Sequence, residues 1–221
     1  MKKNTIIPAI VMALTVMIAT SGCVVGRKMS FENKQAGPEY QTSQTALIVF
    51  QDQRPNVLAG RSKPSLCGHM KSTTGISYNV QTKEGKPLAD EFAASVSSSY
   101  SKAGASATSG TADPNANAES VIASFKKDAG KDRLLLFYID DWDARAIPRF
   151  STIRYEIVCS LRLQIYDKSG NLLASESIHD MNADEEGSAA VTLSQLQFLA
   201  DQELNKQVTA LFNRETIRPN L

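Results

Sequence analysis

From Tyr155 to Ile165 an apolar residue stands at every second position: Tyr155, Ile157, Cys159, Leu161, Leu163 and Ile165. Glu156, Ser160, Arg162 and Gln164 lie between them. Successive side chains of a strand point to opposite faces, so this period predicts a long amphipathic strand with one face on a core. A helix of 3.6 residues per turn would spread the same residues around its whole circumference. Asp167-Lys168-Ser169-Gly170-Asn171 carries turn chemistry and predicts a hairpin into a further strand, Leu172 to about Met181. The polar stretch from Asn182 to Gly187 is expected to end that strand.

Other elements fall into place around this hairpin. Thr45 to Phe50 (TALIVF) is a short apolar run stopped by Pro55, and Leu134 to Ile139 (LLLFYI) is apolar throughout, as a strand buried on both faces would be. Ile76, Tyr78 and Val80 alternate as a half-buried strand, after an irregular loop through Cys67 and His69. Leu88, Phe92, Val96 and Tyr100 recur every four residues, which predicts a helix opened by Pro87 and closed by Gly104. A second helix is expected from Asp113-Pro114 through Val121, Ile122 and Phe125. A third starts near Thr192 or Ser194, each with a Gln three residues on as a capping box, and buries Leu196, Ala200, Leu204, Val208 and Leu211. Ser106 to Asn117 is rich in Ala, Ser, Thr and Asn and is read as containing a surface loop. Strands grouped after helices argue for an α+β fold, a mostly antiparallel sheet with helices packed on one face.

The N-terminus supplies location. Lys2 and Lys3, the apolar run from Ile6 to Ala19 and the small residues Thr20, Ser21 and Gly22 have the layout of a cleaved signal peptide, and the run is shorter than the roughly 20 residues a membrane span needs. Residues 1–22 are therefore read as a leader. Thr20-Ser21-Gly22-Cys23 is similar to the bacterial lipobox, and that resemblance implies acylation of Cys23. Position 24 is Val, not the Asp that retains many such lipoproteins at the inner membrane, which favours the outer membrane, facing the periplasm. Residues 23–44, polar and without sustained period, are read as a flexible tether, and residues 45–221 as one periplasmic domain.

Loss of Lys2 and Lys3 with the leader leaves 22 basic against 23 acidic residues in a 221-residue precursor. Such a balance creates no field for nucleic acid. Cys67 and Cys159 are the cysteines left after Cys23. An even pair in an oxidising compartment admits a disulfide, and two separate buried thiols account for the sequence equally well.

Motifs for catalysis are missing: the chain has no G-x-S-x-G, no phosphate-binding glycine loop and no H-E-x-x-H, and its histidines are His69 and His179 alone. Asp140, Asp141 and Asp143 surround Trp142, and on a strand Asp141 and Asp143 share one face. Without the glycine of a calcium loop this cluster predicts no metal site. Trp142 reads either as an exposed aromatic anchor for a partner or as a Trp packed at the sheet edge. Asp52 and Arg54 likewise form either a polar patch for a partner or a turn cap beside an arginine stem covering apolar surface.

The lipobox, the strand ending in Asp52-Gln53-Arg54, and the Ile153-Arg154-Tyr155-Glu156-Ile157 strand with its Asp167–Asn171 hairpin and closing helix together resemble the YajG-type envelope lipoproteins. The resemblance covers most of the mature chain and implies fold and location, with no catalytic residues. The expectation is a non-enzymatic accessory without cofactor or metal that binds an envelope protein partner through Asp52, Arg54, Asp141, Trp142 and Asp143. The alternative is a periplasmic domain binding a glycan or small amphiphile, and a weaker third is a hydrolase built on the acidic cluster.

Overall fold

The structure, a computed structural model, describes residues 27–128, 130–187 and 190–221. The leader and Cys23 lie outside the described residues. The elements are β1 (Arg27–Met29), β2 (Ala46–Asp52), α1 (Pro55–Leu58), β3 (Leu66–Lys71), β4 (Ser77–Thr82), α2 (Leu88–Lys102), β5 (Ala107–Thr111) and α3 (Ala118–Lys127). They continue with β6 (Arg133–Pro148), β7 (Ile153–Asp167), β8 (Leu172–Glu186), α4 (Leu193–Phe212) and a 3-10 turn at Arg218–Asn220.

All eight strands form one mixed sheet with β6 as its spine. Along one edge β6 pairs in parallel first with β2, Arg133 to Ile139, and then with β3, Ala144 to Ala146. Its other edge runs antiparallel to β7 from Arg133↔Asp167 to Pro148↔Ile153, and β7 pairs in turn with β8. Four pairings are parallel (β1 with β4, β2 with β5, β2 with β6, β3 with β6) and three antiparallel (β3 with β4, β6 with β7, β7 with β8). The expected mostly antiparallel sheet is thus corrected. The helices between β2 and β6 serve as crossovers, and a crossover returns the chain parallel to where it started.

Helices on one face only is corrected as well. Leu135, Phe137 and Ile139 of β6 join Phe92, Leu204 and Leu211 from α2 and α4 in the main core. Leu134, Leu136 and Tyr138 point the other way, into a second cluster with Phe125 of α3. This two-sided burial is why the β6 run is apolar without alternation. β7 has the predicted period: the six apolar positions from Tyr155 to Ile165 are all buried, on the α4 side.

Several local expectations shift. The Cys67/His69 loop is strand β3, disguised by Gly68. A Cβ there would lie 2.1 Å from the Ala144 carbonyl oxygen, so only glycine lets β3 approach β6. The second helix starts at Asn117, whose side chain accepts from Ser120 N–H, while Asp113 closes a separate turn. Ser106–Asn117 contains strand β5. β8 continues to Glu186, because β7 offers it partners as far as Ile153. At the start of α4 Thr192 makes no side-chain cap, and Gln197 instead bonds both backbone groups of Ser30. Ile76, expected on a buried face, is exposed.

The segment read as a flexible tether is docked wherever it is described. β1 pairs with β4, and Met29, Phe31 and Ala36 are buried in the main core. Phe31 meets Phe92 edge-on at 5.0 Å and Trp142 at 5.6 Å between ring centroids. Beyond β1, much of the backbone of this strap bonds side chains rather than a ladder. Glu91 accepts the Phe31 N–H at 2.7 Å, Ser99 the Ala36 N–H at 3.0 Å, and Ser95 donates to the Lys34 carbonyl at 2.9 Å.

Candidate functional site

Two polar constellations lie along the second half of β6, one inside the protein and one outside. The inner one is Asp52 and Arg54, both nearly inaccessible to solvent. The Arg54 guanidinium grips the Asp52 carboxylate with two bonds, Nε to Oδ1 at 2.8 Å and Nη2 to Oδ2 at 2.6 Å. Its remaining donors reach the carbonyls of Leu66 at 2.6 Å and Pro64 at 3.3 Å. The pair thus fills the seam where β6 leaves β2 and takes up β3. A partner surface at these two residues is corrected: neither carries an accessible charge.

The outer constellation begins at a bulge. The register of β6 against β7 shifts between Ile139 and Asp141, which leaves Asp140 as the extra residue. Beyond it Trp142, Ala144 and Ala146 face the core, and Asp141, Asp143 and Arg145 face out. Trp142 is 2 % exposed and packs on Phe92 at 4.8 Å. Of the two readings open for Trp142, the exposed anchor is corrected and the packed Trp is the one the structure has. Its Nε1 is buried and has no hydrogen-bond partner among the described residues.

Asp143 and Arg145 belong to a ladder across three strands. His69 Nδ1 of β3 lies 2.9 Å from Asp143 Oδ1, and Arg145 Nε donates to Asp143 Oδ2 at 2.7 Å. Arg145 Nη1 reaches Glu156 of β7 at 3.3 Å, and Arg154 Nη2 reaches the other oxygen of Glu156 at 3.0 Å. The bond to Asp143 raises the Arg145 pKa further and keeps it charged. Below the bulge Arg162 pairs with Asp140 at 2.8 Å and lies over the Tyr138 ring at 4.3 Å. The Asp141 side chain is exposed and makes no ion pair or hydrogen bond among the described residues. A cleft of about 430 Å³ runs alongside, lined by Pro55, Asn56, His69, Asp141 and Arg145 among others.

Of the residues expected at a site, the structure brings Asp141 and Asp143 together on one face and buries Asp52, Arg54 and Trp142. Sequence reasoning did not place His69, Arg145, Arg154 and Glu156 with them. The signal was present in the alternation Asp141, Asp143, Arg145. The tight turn in which Arg149 N–H donates to the Thr152 carbonyl at 2.8 Å then sets Arg145 opposite Glu156. Among the described residues no group of three or more His, Cys, Asp or Glu is placed to hold a metal ion.

Cys67 and Cys159 are free and buried. Cys67 is on β3 and Cys159 on β7, with β6 between them. Two strand spacings amount to about 9.5 Å, beyond the roughly 7 Å between Cα atoms that a disulfide tolerates. Of the two alternatives the sequence left open, the structure has two separate buried thiols. Burial, aided by Glu91, pushes the Cys67 thiol up to about 12, and burial raises Cys159 also. A second cavity, of about 770 Å³, lies between the strap and the end of α2. It offers one aromatic ring, Tyr40, already taken up by the Arg218 guanidinium at 4.7 Å.

No protein-family model matches this chain, and no curated protein matches it. Solved structures similar to it include a Xanthomonas campestris protein of the DUF330 family model, at 13% identity and TM-score 0.47, over 81% of this chain and 89% of that one. A Neisseria meningitidis lipoprotein is similar at 17% identity and TM-score 0.28, over 74% of this chain and 97% of that one. None of these fixes a family.

Proposed function

We propose that this chain is a lipoprotein anchored through Cys23 in the outer membrane, and that its periplasmic domain binds an envelope protein partner without catalysing a reaction. The observation that carries this reading is the outer sheet face beyond α3. α3 covers the first half of β6 there, and the second half displays the ladder His69, Asp143, Arg145, Glu156 and Arg154 beside the unpaired Asp141. Charges held in fixed positions by one another give a surface register and partner specificity more than raw affinity.

The same geometry weighs against the hydrolase reading. A general acid or base must be free to take and release a proton at a substrate, whereas Asp143 and Glu156 are each held by guanidinium groups. Binding of a glycan finds less support, because the one aromatic ring in the larger cavity is already stacked. Apolar surface also continues from the ladder onto β8, where Met181, opposite Val158, is 57% exposed. A photo-crosslinking residue at Asp141 or Met181, introduced in cells, is expected to capture one envelope protein, with capture lost in an Arg145→Glu background. Equal capture with and without that reversal, or none from either position, would refute the reading.

A further inference from the structure

We propose that the end of the sheet bearing the β3–β4 and β6–β7 turns lies against the membrane, with Ile76 and Phe150 inserted among the lipids. The proposal rests on the reading of Cys23 as the acylated residue and adds to it an orientation and a second, protein-borne contact with lipid.

Strand directions bring these features to one end. β3 runs parallel to β6, and β4 returns antiparallel from Lys71↔Ser77, so the β3–β4 turn lies beyond the C-terminal end of β6. β7 starts opposite that end, at Ile153↔Pro148, so the β6–β7 turn lies there too. β1 runs parallel to β4 with Arg27 opposite Val80, and therefore enters the sheet from the same side.

Chain length then fixes the distance. Ile76 lies four residues before Val80, about 13 Å along a strand. Cys23 lies four residues before Arg27, and four extended residues span at most about 14 Å. Because the strap from Arg27 onward is part of the folded domain, no slack remains beyond that reach. Acyl chains on Cys23 enter a bilayer only if this end of the sheet is drawn down to its surface.

The side chains at the two tips suit that position. Ile76 is 55% exposed, and Phe150 is 108% exposed, as open as in an unfolded chain. Phe150 occupies a central position of the four-residue turn from Arg149 to Thr152, where Gly, Asn, Asp or Pro serve backbone geometry better. The fold gains nothing from an aromatic ring there, whereas a lipid interface favours one, and the neighbouring Arg149 is held by Glu185 of β8 at 3.6 Å. Lys71 lies at this end, opposite Ser77, and Arg27 lies further in, opposite Val80, with its guanidinium over the Tyr78 ring at 5.1 Å.

The test uses the full chain purified from membranes and reconstituted into phosphatidylethanolamine–phosphatidylglycerol vesicles, with or without brominated acyl chains. Phe150→Trp and Ile76→Trp report the two tips, and Leu172→Trp, exposed at the opposite end of β8, is the reference; intact mass on each sample reads the acylation of Cys23. With Cys23 acylated, emission at positions 150 and 76 is expected to shift to the blue and be quenched by bromine, while position 172 is unchanged. Acylated protein without quenching at either tip overturns the orientation and leaves the anchor standing. A blue shift that bromine does not quench overturns it in favour of a protein covering the tips. An unmodified Cys23 overturns the anchor and, with it, this proposal.

Discussion

Arg54 shows how much a single side chain can carry at a break in a sheet. Between Ile139, the last residue of β6 paired to β2, and Ala144, the first paired to β3, the backbone on that edge has no strand beside it. The guanidinium spans the gap with bonds to Asp52, Leu66 and Pro64. Removing one partner of a buried, hydrogen-bonded ion pair leaves an uncompensated charge and typically costs about 3–5 kcal/mol. Arg54→Ala is expected to lose stability on that scale in equilibrium denaturant unfolding, and Asp52→Leu with Arg54→Met together distinctly less than either change alone. Additive losses would show that the pair is not coupled. The Asp52-Gln53-Arg54 motif could not reveal this role by itself, because the groups that bury it, Pro64, Leu66 and Trp142, belong to segments whose approach is set by topology.

The strap from Arg27 to Gln44 presents the same lesson at the scale of an element. Helices and strands bury a stripe or a face and so leave a period in the sequence. The strap buries few side chains, and beyond the three residues of β1 its backbone bonds go mainly to side chains of α2 and α4. Nothing periodic remains to be read, and a polar segment with Gly37 and Pro38 looks like a tether. Phe31→Ala is expected to destabilise the protein by about 3–5 kcal/mol, the usual cost of truncating a core phenylalanine. A chain beginning at Thr45 should bind hydrophobic dyes and lose cooperative thermal unfolding. A Phe31→Ala variant as stable as the parent would show that the strap merely rests on the domain. Elements with strong periods were legible from the sequence: β7 and its hairpin, the stripe of α2 with its Gly104 terminus, and the doubly buried β6. β3 was hidden by Gly68, whose lack of a side chain matters only because Ala144 lies opposite.

Across the whole molecule, what escaped the sequence is relation between elements: which strands run parallel, which face each helix covers, and which charges meet across strands. The ladder is legible one strand at a time, as Asp143 and Arg145 on β6 or Arg154 and Glu156 on β7, and acquires meaning only through register. The same relation governs how stability depends on pH. Glu91 lies on α2 beneath the strap, 1% exposed, and burial pushes its carboxyl above the usual carboxylate range despite the bond from Phe31 N–H. Burial raises Asp201 likewise, against the opposing pull of Lys34. A carboxyl with a higher pKa folded than unfolded takes up a proton on folding, so its contribution falls as pH rises from about 4 through the folded value. Asp132, Asp167 and Asp180 run the other way. Hydrogen bonds from Thr45, Asn171 and Lys206 respectively lower their pKa values, and the stability they add is lost as pH falls below about 4. Mild acidification from pH 7 should therefore stabilise the protein before stronger acid destabilises it. Glu91→Gln keeps an oxygen to accept the Phe31 N–H and removes the buried charge. The variant is expected to melt higher than the parent at pH 7, with the difference shrinking as pH approaches 4. Melting temperatures of both proteins at pH 7, 6, 5 and 4 check this. A variant that melts lower at pH 7, or a constant difference across the range, would show that the buried carboxylate is compensated in the fold.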